Sequence, residues 1–170
     1  MAESSSGGDS APVDTALVDL DGTLVDSNYQ HTVAWQRAFR RIDIVIPAWQ
    51  IHRHIGMGGD QVVAALAGSE IEERCGEELR AAWAEEFAPM LPDIAPLPYA
   101  RDLLAEIRRR GYRLALATSG EQEHIDHHLD LLDARSLVEA RTTSADVDAT
   151  QPEPDLLEAA RDKVGGGGQW

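Results

Sequence analysis

The stretch from Thr15 to Asp21 constrains this chain more than any other: Thr-Ala-Leu-Val-Asp-Leu-Asp, followed by Gly22 and Thr23. An apolar run with β-branched members reads as a buried strand, and it ends in two carboxylates and a glycine turn. Alternate side chains of a strand share a face, so Asp19 and Asp21 point the same way with Leu20 turned away. Two carboxylates that close raise each other's pKa unless a cation or a hydrogen-bond donor sits between them. The natural occupant is a hard divalent ion such as Mg2+, held by a few oxygens, water and often a phosphate. Gly22 frees the backbone to turn, and Thr23 offers a hydroxyl and an amide. A solvated acidic turn, or the D-x-D with which sugar-nucleotide transferases hold a metal, would use the same two residues.

At 170 residues the chain is one core with at most a modest insertion. Acidic residues outnumber basic ones 30 to 15, a formal charge of -15, which repels nucleic acid and anionic membranes and points to a small-molecule partner. The short basic clusters, Arg37 with Arg40 and Arg41, then Arg108 to Arg110, read as solvated helix faces. A single cysteine, Cys75, excludes an internal disulfide, and with no signal peptide or membrane span in view the expectation is a cytoplasmic protein.

Residues 1–12, rich in Ser and Gly, read as a disordered arm. Asp26-Ser27-Asn28 caps a helix to Arg41, Pro47 opens a second, Asp60 caps a third, and the longest helical pattern runs from Ile71 to Met90. No strand is visible between residues 28 and 92, so that segment is an insertion. A proline-rich return through Pro89 to Pro98 leads to a helix over Ala100 to Arg110 with Leu103, Leu104 and Ile107 inward. A strand over Tyr112 to Ala117 follows and stops at Thr118-Ser119-Gly120. The next helix, Gln122 to Leu132, carries His124, His127 and His128 at a spacing that could bind zinc but lacks the acidic residue of H-E-x-x-H. Leu137-Val138 reads as a third strand and Pro154 to Val164 as the last helix.

Asp19-Leu20-Asp21-Gly22-Thr23-Leu24-Val25-Asp26-Ser27 resembles the first signature of the haloacid dehalogenase superfamily, phosphoglycolate phosphatase-like members included, and the helix, glycine, strand and Thr118-Ser119-Gly120 resemble the second. The resemblance implies an α/β, Rossmann-like parallel sheet, the Asp19 strand beside the Leu114 strand and then the Val138 strand. It assigns residues 13–27 and 96–164 to the core, 28–95 to a helical cap and 165–170 to a Gly-rich tail. It implies Mg2+-dependent hydrolysis of a phosphate monoester, with Asp19 as nucleophile, Asp21 as general acid/base, and Mg2+ on Asp19 and the Asp21 carbonyl. Thr118, Ser119, Gly120 and the residue at position 151 would bind the phosphate, and Arg53, His54 and Gly56 of the cap loop would contact the substrate, a small phosphorylated metabolite. A phosphomutase would use the same residues.

Two departures stand out. The third signature reads K-P-x-P-D in the family, whereas Gln151 stands at the lysine position; the fourth, G-D-S/T-x-x-D, has no counterpart. The expectation is a core incomplete at its C-terminus, with impaired activity or none, a catalytically inactive homologue that binds phosphate or a protein partner. An uncovered edge on the Asp19 strand would promote self-association.

Overall fold

The computed structural model describes residues 14–143, 146 and 154–164. Its elements are β1 (Thr15–Val18), α1 (Asn28–Arg41), α2 (Ala48–His52), α3 (Gly59–Ala67), α4 (Ser69–Phe87), α5 (Ala100–Arg109), β2 (Arg113–Leu116), α6 (Gln122–Leu131), β3 (Ala140–Arg141) and α7 (Asp155–Lys163). The three strands form a parallel sheet in the order β1-β2-β3, with Val18 opposite Leu116 and Ala115 opposite Ala140. Parallel neighbours need a crossover, and the helical segment with α5 supplies the first while α6 supplies the second.

The sheet is held by a large buried cluster that includes Leu20, Leu24, Leu104, Leu114, Leu116, Ile125 and Leu129, and by a small one of Ala115, Ala117, Ala160 and Val164 that joins it to α7. Helices α1 to α4 carry another, which includes Trp35, Phe39, Ile51, Val63 and Leu79. Each large side chain so buried stabilises the fold by about 1.5–3 kcal/mol relative to its exposed state. Partly buried Trp83 packs against the two larger clusters. On the surface Arg41 ties α1 to α4 through Glu85 at 2.5 Å and Glu86 at 2.6 Å. The chain leaves and re-enters the sheet side by side: the Asp26 N–H donates to Ala95 O and the Leu97 N–H to Leu24 O, both at 2.9 Å.

Several local expectations change. Ser27 is the N-cap of α1, but its hydroxyl makes no capping bond, because it donates to Asp21 instead. Gly58, not Asp60, is the N-cap of α3, and Asp60 lies in the first turn. Leu103 is 49 % exposed, since the inward stripe of α5 runs through Ala100 and Leu104, one turn apart, with Leu103 about 100° round the helix. The third strand is Ala140–Arg141; Leu137 and Val138 still pack on the core, but from the turn that precedes the strand. Among the described residues no helix is long and apolar enough to cross a membrane.

Candidate active site

Parallel pairing of β1 with β2 places two strand ends together. The Ala117 N–H donates to Val18 O at 3.0 Å, so Asp19 follows β1 where Thr118 follows β2. Leu20 is fully buried while Asp19 and Asp21 both line a cleft, as a period of two requires. The chain then turns on Leu20, whose carbonyl accepts from the N–H groups of Thr23 at 3.3 Å and Leu24 at 2.8 Å. Gly22 sits at φ +72°, and a Cβ there would fall 2.4 Å from Asn28 Nδ2. Both its backbone angle and the approach of Asn28 exclude a side chain.

The two carboxylates sit in unlike surroundings. Burial pushes Asp19 above the usual carboxylate range; bonds from the Thr23 hydroxyl (2.9 Å) and the Leu20 backbone act the other way, and the Asp21 charge adds to the rise. Burial also pushes Asp21 upward, but there it is outweighed. The Asp21 Oδ1 accepts from the Ser27 hydroxyl at 2.6 Å and lies 3.2 Å from His31 Nε2, and with His31 contributing most it is lowered to about 2. His128 Nδ1 stands 4.0 Å from the same oxygen. Burial drives His128 down to about 4, so it is neutral near pH 7 and its charge helps Asp21 only in acid. The sequence has such a pair raising each other unless a cation or a donor intervenes; Asp21 does raise Asp19, and Asp21 itself goes down because two donors meet it.

The donors are themselves fixed. His31 stacks on Phe87 with ring centroids 4.2 Å apart and on Trp83 at 5.6 Å. Its link to Asp21 was missed in the sequence, although Ser27 and His31 are four residues apart at the start of one helix and so share a face. His128 is 1 % exposed, and neither ring nitrogen has a hydrogen-bond partner among the described residues. The sequence offered it only as one of three histidines at a zinc-like spacing, since its approach to Asp21 arises from a contact between α6 and the turn after β1.

Thr118, Ser119 and Gly120 line the cleft. The Gly120 N–H donates to the Thr118 hydroxyl oxygen at 3.1 Å, and a Cβ on Gly120 would lie 3.6 Å from Asp21 Oδ2, which sets this turn beside the carboxylate. Gly56 also lines it, whereas Arg53 is exposed and His54 Nδ1 bonds to the Gln50 carbonyl at 2.8 Å; neither is part of the lining. Gln151 lies outside the described residues. Arg80 and Trp83 of α4, which the sequence reading passed over, belong to the wall. The basic clusters are met by acids: Arg108 and Arg113 by Glu139, Arg109 and Arg110 by Glu106.

The donor set suits a hard cation that keeps most of its water, since Asp19 is a carboxylate held above its ordinary pKa by burial, a charge that a cation would relieve. Among the described residues there is no group of three or more His, Cys, Asp or Glu side chains arranged to hold a metal, and zinc on α6 has no such support.

A family model for haloacid dehalogenase-like hydrolases matches residues 13–169. A validoxylamine A 7'-phosphate phosphatase of Streptomyces hygroscopicus subsp. limoneus is 31% identical over 144 residues, 82% of this chain and 66% of the relative, so the chain spans just under two thirds of that relative's length. A hydrolase from Pseudomonas syringae has a similar structure, with a TM-score of 0.82 and 33% identity over 91% of this chain and 71% of that one. A β-phosphoglucomutase from Clostridium difficile shares the fold at 15% identity, with a TM-score of 0.78 over 91% of this chain and 72% of its own. With Asp19, Asp21 and the Thr118 turn in one cleft, and with a match across almost the whole length, the chain belongs to the haloacid dehalogenase-like hydrolases.

Proposed function

We propose that the chain hydrolyses a small phosphate monoester through Asp19. The observation that carries this reading is the pairing of two strand-end carboxylates with opposite pKa shifts beside a hydroxyl and a glycine turn. An Asp19 oxygen attacks phosphorus, the phosphorus–oxygen ester bond breaks, and Asp21 delivers its proton to the leaving alkoxide. Water then attacks the phosphorus of the acyl-phosphate, giving its proton back to Asp21 and releasing phosphate from Asp19. Asp21 is ionised in the resting cleft, and a dianionic phosphate beside it raises its affinity for the proton it must carry. His31 and Ser27 fix its orientation. The Thr118 hydroxyl and the Ser119 and Gly120 amides are the phosphate ligands of this reading.

Mg2+ fits the oxygens of Asp19 and the Asp21 carbonyl, and when bound it supplies charge neutralisation at the phosphate. Residues 28–95 act as a helical cap over the core of 13–27 and 96–164, with Gly56 at the substrate and Arg53 and His54 reaching it only if the loop moves. The compartment that suits a chain with one cysteine is the cytoplasm. Gln151 favours a second reading, in which turnover is slow or absent and phosphate binding remains, because a neutral amide stands where the family has a cation. A phosphomutase would draw on the same residues. Asp19→Asn tests the proposal: it abolishes turnover if Asp19 is the nucleophile, and retained turnover removes that role.

A further inference from the structure

The sheet changes its bonding pattern where β2 ends. The Ala117 N–H serves β1, so alternation turns the N–H groups of Leu116 and Thr118 toward β3. On that side the ladder is regular as far as Leu116, whose carbonyl accepts the Thr142 N–H at 3.0 Å. A regular parallel ladder would next send the Thr118 N–H to the Thr142 carbonyl. It goes to the Thr142 hydroxyl oxygen at 3.3 Å, and that hydroxyl in turn donates to the Leu116 carbonyl at 3.4 Å. A side-chain oxygen thus stands in for a backbone acceptor. The exchange is sealed from water, with Leu116 and Thr142 fully buried and Ala117 and Thr118 1 % exposed. A valine of the same shape at position 142 would leave the Thr118 N–H unpaired in the interior, which is costly.

Thr118 is the junction between this buried bond and the cleft. Its backbone is held from the β3 side, the residue lines the cleft, and its hydroxyl oxygen accepts the Gly120 N–H at 3.1 Å. A hydroxyl carries one O–H donor, and that of Thr118 meets no acceptor among the described residues. Where that donor can reach depends on where the Thr118 backbone is held as the chain leaves the sheet.

We propose that Thr142 is a positioning residue of the phosphate site: its buried hydroxyl fixes the Thr118 amide at the end of β2, and so sets the direction in which the Thr118 hydroxyl meets phosphate. This rests on the reading in which Thr118 is a phosphate ligand. Without the Thr142 hydroxyl, the Thr118 N–H continues the ladder to the Thr142 carbonyl. That draws the turn of Thr118, Ser119 and Gly120 toward β3 and away from the β1 side, where Asp19 stands. A hydrogen bond to phosphate weakens steeply with such misalignment.

The test is a double-mutant cycle in the full chain, with inorganic phosphate as ligand and Mg2+ present, read by calorimetry well below the melting temperature of each variant. Thr142→Val is expected to weaken phosphate binding roughly tenfold and Thr118→Val at least as much, while Thr142→Ser, which keeps the hydroxyl, stays within about twofold of the parent. In the Thr118→Val background, Thr142→Val is expected to change phosphate affinity by less than about twofold, because the hydroxyl it orients is gone. A residue that only stabilises the fold lowers the melting temperature in both backgrounds and shows no such coupling in affinity. Should the Thr142→Val chain not fold, Thr142→Ala carries the same cycle. Unchanged phosphate affinity in Thr142→Val, a loss that persists undiminished in the Thr118→Val background, or a Thr142→Ser variant as weak as Thr142→Val would overturn the proposal. No phosphate binding by the parent chain, or full binding by Thr118→Val, would instead remove the underlying reading, and this proposal with it.

Discussion

Asp21 and His128 show how one small volume holds titratable groups away from their ordinary range for different reasons. Asp21 is lowered to about 2 because donors outweigh its burial, and His128 to about 4 because burial outweighs the opposing charge of Asp21. The signs of the two linkages follow. For His128, with an ordinary value of 6.5, the unfolded chain binds the extra proton between pH 6.5 and 4, so stability is full above that window and is lost as pH falls through it, by about 3 kcal/mol at most. The Asp21 contribution is present above its ordinary 3.8 and disappears only as pH falls toward 2. His128→Leu is therefore expected to flatten the stability curve between pH 6.5 and 4; denaturant titrations across that range check it, and an unchanged slope would mean that His128 is not buried as described. Gln151→Lys belongs to the same scale: restoring a cation that meets developing charge is worth about 2.7–4 kcal/mol where the site is otherwise complete, read as tighter Mg2+-fluoride binding. No gain would place position 151 away from the phosphate. Asp19, Asp21 and the Thr118 turn were legible because strand period and turn chemistry are local. His31 was not, because its role arises from contacts across the sheet–helix junction.

At the level of elements, periodicity located nearly every helix, and the misreadings share a cause. Ser27 looks like a cap and is one by position, but a carboxylate six residues upstream competes for its hydroxyl and wins with a 2.6 Å bond. Leu137 and Val138 look like a strand because both are apolar and Val138 is β-branched, yet their burial is met from a turn. Glycines separate by what surrounds them. Gly22 at φ +72° has Asn28 at 2.4 Å from a would-be Cβ, whereas Gly68 at φ +89° has nothing within 4 Å. Both resist alanine through backbone strain of about 1 kcal/mol, and only Gly22 adds a collision, so Gly22→Ala is expected to cost about 1–3 kcal/mol more than Gly68→Ala. Equal melting temperatures for the two variants would contradict the close packing of Asn28 under the turn. The same comparison in binding assays should show loss of phosphate affinity for Gly22→Ala alone.

For the molecule as a whole, the two larger hydrophobic clusters, joined at Trp83 and at the paired crossing segments, put the cleft between a sheet end and a helical wall. The lack of any strand pattern between residues 28 and 92 made the helical insertion legible, but not where it docks, because a helical pattern alone does not fix which surface it meets. Its open side is β1. The Asp14 and Val18 carbonyls accept from Arg113 and Ala117, so alternation turns the amides and carbonyls of Thr15 and Leu17 to the other edge, where no strand pairs among the described residues. Half-exposed Leu103 borders that edge in a groove with Thr15 and Ala16. Self-association through this edge is the expected outcome, rising with concentration in light scattering and reduced by Leu103→Lys, whose exposed position spares the core. A monomer at all concentrations would show that the edge is covered. The central claim, that Asp19 forms the covalent intermediate, is tested most directly by acid-quenching the protein during turnover of a phosphate monoester with Mg2+ and mapping the phosphorylated peptide. The phosphoryl group is expected on Asp19 and absent from Asp19→Asn; turnover with phosphate on another residue, or with none on Asp19, would contradict the account.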